Sequence, residues 1–230
     1  DPDTSHNMAF GTWIHQIFED CEKDPSPEAA ATGRRRLTNL PMVLERFDEL
    51  FDASVFPNRA IARQFYRDGK VMLERYCKLM KPGRSVLAEH RFEVGFNGHL
   101  LTGRIDRVDK IGKDIVVSDY KTSRSPVHYD DARESLQLAI YYLAALSDSE
   151  IAQHGKPVSM QLIYPAELSS GKPVARCQTP EEADRALKRL PQLIDGILAE
   201  DFRPNPEADC TWCKFKPLCP LWPEGKELPA

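Results

Sequence analysis

The stretch "RFEVGFNGHLLTGRIDRVDKIGKDIVVSDYKTS" (Arg91 to Ser123) decides the fold. Asn97-Gly98 is the strongest short hairpin signal, because both central residues of the tight turn need positive φ. A second turn at Gly112-Lys113 joins "GRIDRVD" to "IVVSDYKT". Together they predict a three-stranded antiparallel meander. Within it, Asp106, Asp119 and Lys121 occupy positions where a sheet ordinarily takes apolar or neutral side chains.

The two turns also fix the pairing. A two-residue turn at Gly112-Lys113 places Asp106 opposite Asp119 on one face, with Lys121 about 7 Å further along that face. The Asn97-Gly98 turn brings Glu89 to the other side of Asp106. Like charges set opposite each other destabilise a sheet, and a divalent cation offsets that cost. Oxygen ligation of this kind suits Mg²⁺ or Mn²⁺, with water and a substrate phosphate completing the shell. Lys121 is then placed to steady an attacking water or the charge that builds on phosphorus. The alternative is a solvated sheet face paired loosely with Arg104 and Arg107. Four such residues at these registers, between two independent turn signals, favour the metal site, although a one-residue slip would dissolve it.

Outward from the meander, "FGTWIHQIFEDC" (Phe10 to Cys21) carries Phe10, Trp13, Ile14, Ile17 and Phe18 on one helical face, with His15 off that stripe. A Pro-rich break at 24–33 precedes helical stretches over roughly 37–53 and 58–81. After the meander, a helix over 130–147 is predicted to bury Leu136, Ile140, Leu143 and Ala144, with Gln137 and Tyr141 beside that stripe. Strands are predicted at 157–164 and 173–178. "TPEE" (Thr179 to Glu182) is a capping box that opens a helix kinked at Pro191. This order makes a mixed α/β layer around one central sheet.

Bulk composition narrows the class. The chain of 230 residues, 41% hydrophobic and 29% charged, reads as soluble and globular, long enough for one good core. No apolar run approaches the roughly eighteen residues of a membrane span, and no secretory signal opens the chain. A formal charge of −4 argues against an all-over basic coat but not against a local basic groove. "GRRR" (Gly33 to Arg36) is one basic cluster, with a solvated helix start as its plainer reading. Without a secretion signal, the six Cys point to a reducing, cytoplasmic setting and to metal or cluster ligation rather than disulfides. The chain opens at Asp1 without Met, which fits a fragment of something larger.

"GRIDRVD" followed by "SDYKTS" resembles the PD-(D/E)-x-K nuclease superfamily, and in particular its RecB-like exonuclease branch. "GTWIHQIFE" is similar to that branch's N-terminal His motif, and "QLAIYYLA" to its Gln-Tyr helix motif. The tail "CTWCKFKPLC" resembles the iron–sulfur staple of AddB-type and CRISPR-associated members. The resemblance runs from about Gly11 to Cys219 with the motifs in the family's order. It implies a restriction-endonuclease-like fold, with His15, Asp106, Asp119 and the Tyr120 carbonyl as metal ligands and Lys121 as catalytic lysine. Glu89, Gln137 and Tyr141 would support the site or contact the substrate strand.

The resemblance further implies hydrolysis of DNA phosphodiester bonds with Mg²⁺ or Mn²⁺, acting on single strands or ends. Its setting would be a helicase–nuclease repair system or a stand-alone relative. A CRISPR-associated adaptation nuclease and a non-catalytic DNA-binding module are the alternatives. The domain reading is a nuclease domain over 1–202 (helical part 8–81, sheet core 85–178, closing helix 179–200) and a Cys-rich tail over 203–230. Cys210, Cys213 and Cys219 supply three thiolates, and a [4Fe–4S] cluster needs a fourth. Cys21 or an upstream Cys absent here is the candidate, and zinc is the other metal that the C-x₂-C spacing fits.

Overall fold

Both turns of the meander form with the backbone their residues demand. In the computed structural model, φ is 49° at Asn97, 81° at Gly98 and 63° at Gly112. The structure describes residues 2–23, 31, 36–80, 85–122, 132–169, 172–207, 210, 213 and 215–222. The meander strands are β1 (Leu87–Phe96), β2 (His99–Ile111) and β3 (Asp114–Tyr120). Their registers, Leu87↔Val108 through Phe96↔His99 and Ile111↔Asp114 through Arg107↔Ser118, are those the turn positions dictate. β4 (Lys156–Ser169) runs parallel to β3, and β5 (Lys172–Gln178) antiparallel to β4, giving a five-stranded mixed sheet in the order β1-β2-β3-β4-β5.

Helices cover both faces. α1 (Pro2–Glu22), α2 (Leu40–Leu50) and α3 (Arg59–Met80) share one apolar cluster, in which Ile14, Ile17, Phe47 and Leu73 have no exposed surface, closed against the sheet by Tyr120 and Ile163. On the opposite face, α4 (Leu136–Ser147), the single turn α5 (Ser149–Ala152) and α6 (Pro180–Leu187) join Val108, Val117 and Met160 in a second cluster. A parallel strand pair needs a crossover, and α4 provides it between β3 and β4. The fold is therefore α/β, a mixed sheet flanked by helices. The chain divides into two compact units, residues 1–188 and 189–230.

Three details differ from the periodicity reading. α4 starts at Leu136, capped by Ser135 Oγ on the N–H of Leu138 (3.3 Å). Its buried residues are Leu138, Ala139, Tyr141, Ala144 and Ala145 rather than Leu136, Ile140 and Leu143. The helix is apolar almost all round because the sheet and α6 both pack on it, so no single stripe could be read from spacing. The long helix expected from Thr179 is two: α6, opened by the Thr179–Glu182 capping box, and α7 (Leu190–Leu198), with Pro191 in the first turn, where its missing N–H costs nothing. Of "GRRR", Gly33 to Arg35 lie outside the described residues. Among the described residues no helix is long and apolar enough to cross a membrane.

Candidate active site

The site sits where β2 and β3 part. Their ladder ends at Arg107↔Ser118, one step short of Asp106 and Asp119. On the other side of β2 the register passes from Ala88↔Arg107 to His90↔Ile105, leaving Glu89 and Asp106 out of the ladder. Glu89 has φ 48°, a left-handed conformation that is costly for a residue with a side chain and is typical of functional positions. The alternation changes phase here: Ile105 and Val108, three residues apart on one strand, both enter the same apolar cluster.

That break turns charged side chains inward. Glu89, Asp106 and Asp119 are all buried, with 8%, 8% and 4% of their surface exposed, which excludes the solvated-face reading. Asp106 Oδ2 accepts the backbone N–H of Tyr120 at 2.7 Å. From α1, His15 Nδ1 lies 3.6 Å from Asp106 Oδ2 and 3.9 Å from Glu89 Oε1, while its Nε2 is 3.0 Å from the Tyr120 carbonyl oxygen. Gly11, one turn earlier on α1, makes this approach possible: a Cβ there would stand 3.2 Å from Thr122 Oγ1.

Asp119 faces a second set of partners. Its Oδ2 is 2.7 Å from Lys121 Nζ, and its Oδ1 accepts from Gln137 Nε2 at 2.8 Å. Lys121 Nζ donates to Gln137 Oε1 at 2.9 Å, so one amide bridges the carboxylate and the ammonium. Tyr141 Oη lies 2.9 Å from the Arg104 carbonyl and 3.2 Å from Asp119 Oδ1, and accepts from Gln137 Nε2 at 3.0 Å. The sequence reading put Asp106 and Asp119 on one face. In the structure, helices of both layers reach them: α1 brings His15 to Asp106, and α4 brings Gln137 and Tyr141 to Asp119.

The electrostatics follow from packing carboxylates together. Burial pushes Asp106 up to about 6 against the pull of His15, with the Asp119 charge adding to the rise. Burial alone would lower His15, but the neighbouring Glu89, Asp106 and Asp119 carboxylates raise it. Tyr141 is raised by burial and by the neighbouring Asp119 charge, so its hydroxyl stays protonated.

The donor set fits a cation. His15, Glu89 and Asp106 each offer a ligand atom within 4.8 Å of the others, a grouping unmatched among the described residues. Glu89 Oε2 and Asp119 Oδ2 are buried without an aligned hydrogen-bond donor, although Arg104 Nε and Lys121 Nζ stand 2.7 Å from them. Carboxylate oxygens with one imidazole make a donor set for a divalent cation.

The sequence reading named Arg104 and Arg107 only as loose partners on a solvated face. Arg104 pairs with Glu89, and Arg107 is fully buried among Glu22, Tyr76 and Asp109. The available signal was the Arg107–Asp109 pair, opposite charges two apart on one strand.

In the second unit, Cys213 N–H donates to the Cys210 carbonyl (3.2 Å), and Cys219 follows a short 3₁₀ turn, Lys216–Leu218. All six cysteines are free thiols. Cys21 lies wholly inside the α1–α3 cluster, where burial raises its thiol.

The family model of the PD-(D/E)XK nuclease superfamily matches residues 1–220. "Gene 69 protein" of Mycobacterium phage L5 is 27% identical over 148 residues, covering 64% of this chain and 47% of the phage protein. The chain thus spans about half the length of that curated relative. Among solved structures, a "Putative exonuclease" from Eubacterium rectale aligns with TM-score 0.40 at 11% identity over 74% of this chain and 71% of that one. The protein SSO0001 aligns with TM-score 0.38 at 17% identity over 77% of this chain and 80% of its own.

Proposed function

The chain belongs to the PD-(D/E)XK nuclease superfamily, and from that premise we propose that it is a divalent-metal-dependent deoxyribonuclease acting on single strands or DNA ends. The observation that carries this reading is the convergence of buried Glu89 and Asp106 on His15, beside an Asp119–Lys121 pair 2.7 Å apart. His15, Glu89 and Asp106 would hold Mg²⁺ or Mn²⁺, with Asp119 and the Tyr120 carbonyl as further oxygens. When bound, the cation supplies Lewis-acid polarisation of a phosphoryl oxygen and acidifies water.

The protein's own groups do the rest. Asp119 and Gln137 hold the Lys121 ammonium in one position, where it orients an attacking water and stabilises charge at phosphorus. Gln137 and Tyr141 keep Asp119 from rotating away. The apolar walls on both faces of the sheet limit water, which strengthens each of these charge interactions.

The motif order supports the RecB-like branch, and the C-x₂-C-x₅-C tail supports its AddB-type members. On that reading Cys210, Cys213 and Cys219 carry a structural [4Fe–4S] cluster, or zinc, and the module works in the cytoplasm with a helicase or other repair partner. The nuclease domain over 1–202 and the tail over 203–230 are the working parts of that proposal.

The test is cleavage of end-labelled single-stranded, linear duplex and covalently closed circular DNA with Mg²⁺, Mn²⁺ or EDTA. Metal-dependent loss of linear DNA with circles spared, slowed at least about a hundredfold by Lys121→Ala, is the expected result. Cleavage by Lys121→Ala at close to the parent's rate would overturn the mechanism.

A further inference from the structure

α1 reaches the site by more than its histidine. Two turns beyond His15, Glu22 is buried and pairs with Arg107 Nη1. Its Oε1 also accepts from Tyr76 Oη (2.6 Å), and its Oε2 from Ser85 Oγ (2.8 Å) and Ser85 N–H (3.2 Å). One carboxylate therefore ties α1, α3, the approach to β1, and β2. Arg107 follows Asp106 directly in the chain. Its remaining donors are taken by Asp109 (2.7 Å) and by the carbonyl of Met80 at the end of α3 (3.1 Å). Just past the end of α1, Lys23 Nζ donates to the backbone carbonyl of Glu89 at 3.3 Å.

We propose that the Glu22-Lys23 turn is a positioning device for the cation site: Glu22 fixes Asp106 through Arg107, and Lys23 holds Glu89 in its left-handed conformation. The proposal rests on the metal-site reading given above. Two physical arguments support it. A residue in a sparsely populated backbone conformation stays there only when its surroundings over-determine it, and Lys23 grips the strained residue itself. A buried ion pair is seldom a net source of stability compared with apolar packing, so Glu22–Arg107 is better explained by what it places than by what it stabilises. His15 and Glu22 belong to α1, and Lys23 follows its last residue with its N–H still bonded to the Glu19 carbonyl (2.9 Å), so the end of one helix reaches all three members of the trio.

The test is Mn²⁺ titration by calorimetry into the full chain and its variants, alongside thermal unfolding. Lys23 is partly exposed, so Lys23→Ala should fold and unfold within about 2 °C of the parent. Outer partners of metal ligands typically change affinity by about 10- to 100-fold, so Lys23→Ala and Glu22→Gln are each expected to weaken Mn²⁺ binding at least about tenfold. Arg75→Met serves as a structural control. It removes a pin from α3 to the Pro165 and Ala166 carbonyls, touches none of the trio, and should lower thermal stability while leaving Mn²⁺ affinity unchanged.

If both Lys23→Ala and Glu22→Gln bind Mn²⁺ within about twofold of the parent, the positioning proposal is overturned. His15→Ala and Asp106→Asn tell the two failures apart. If they abolish binding while the other two do not, only the positioning role is lost. If they too leave binding unchanged, the metal site itself is wrong, and the proposal falls with it. Should Glu22→Gln fail to fold, Lys23→Ala alone decides.

Discussion

Asp106 accepts the N–H of Tyr120 at 2.7 Å, so a carboxylate stands where a strand carbonyl would otherwise satisfy that donor. The hydrogen bond fixes the carboxylate between β2 and β3, and it also holds an ionisable group in a buried place. The consequences are measurable.

Without metal, stability should fall as pH rises. Asp106 titrates near 6 in the folded protein against 3.8 ordinarily, and His15 is also raised. Both groups bind protons more tightly when folded, so their contribution is complete at low pH. Asp106 loses its share between about pH 4 and 6, and His15 loses its own as pH rises through its folded pKa. Asp106→Asn keeps an acceptor for Tyr120 and removes the charge. In EDTA near pH 8, its unfolding free energy is expected to exceed the parent's by up to about 3 kcal/mol, with a flatter pH profile, as measured by urea denaturation.

Adding cation should reverse that loss. At about one hundred times its dissociation constant, Mn²⁺ should stabilise the parent by roughly 2.7 kcal/mol. His15→Ala should show little of this rise. A shift of equal size in both proteins would mean that the ion binds elsewhere.

Lys121 and Gln137 should separate in effect. Loss of the ammonium in Lys121→Ala is expected to slow single-turnover cleavage about 10²- to 10³-fold, with circular dichroism unchanged because the side chain is half-buried at the rim. Gln137→Ala leaves the charge but frees it to wander, so a loss nearer tenfold is expected.

Gly11→Ala tests the seating of α1. Alanine gains up to about 1 kcal/mol of helix propensity, so thermal stability should change little. The added methyl crowds Thr122 Oγ1 at 3.2 Å and displaces His15, so cleavage should fall while stability does not.

What the sequence disclosed followed from local chemistry. Asn97-Gly98 and Gly112 dictated two turns, and the turns dictated registers that the ladders keep. Those registers were enough to bring Glu89, Asp106 and Asp119 together on paper. They could not show that the ladder stops at Arg107↔Ser118, because that depends on Asp106 capturing the Tyr120 N–H. Nor could they show the phase change at Glu89, since no turn residue announces a left-handed glutamate. The Glu22–Arg107 pair was hidden for a different reason: it joins residues 85 positions apart, through burial that no local pattern encodes. In α4, uniform apolarity concealed the buried face.

Past the stop in the β2–β3 ladder, the single sheet forks into two leaves. β1 and β2 remain paired past the site through His90↔Ile105, and β3 stays bonded to β4 through Tyr120↔Ile163 and the Lys121 N–H on the Ile163 carbonyl. One leaf carries Glu89 and Asp106, and the other Asp119 and Lys121. A cation shared between them would act as a clasp across a seam, and the angle between the leaves would set how well the clasp closes. A change that tilts one leaf against the other would then alter the cation's grip without touching any residue that meets the substrate.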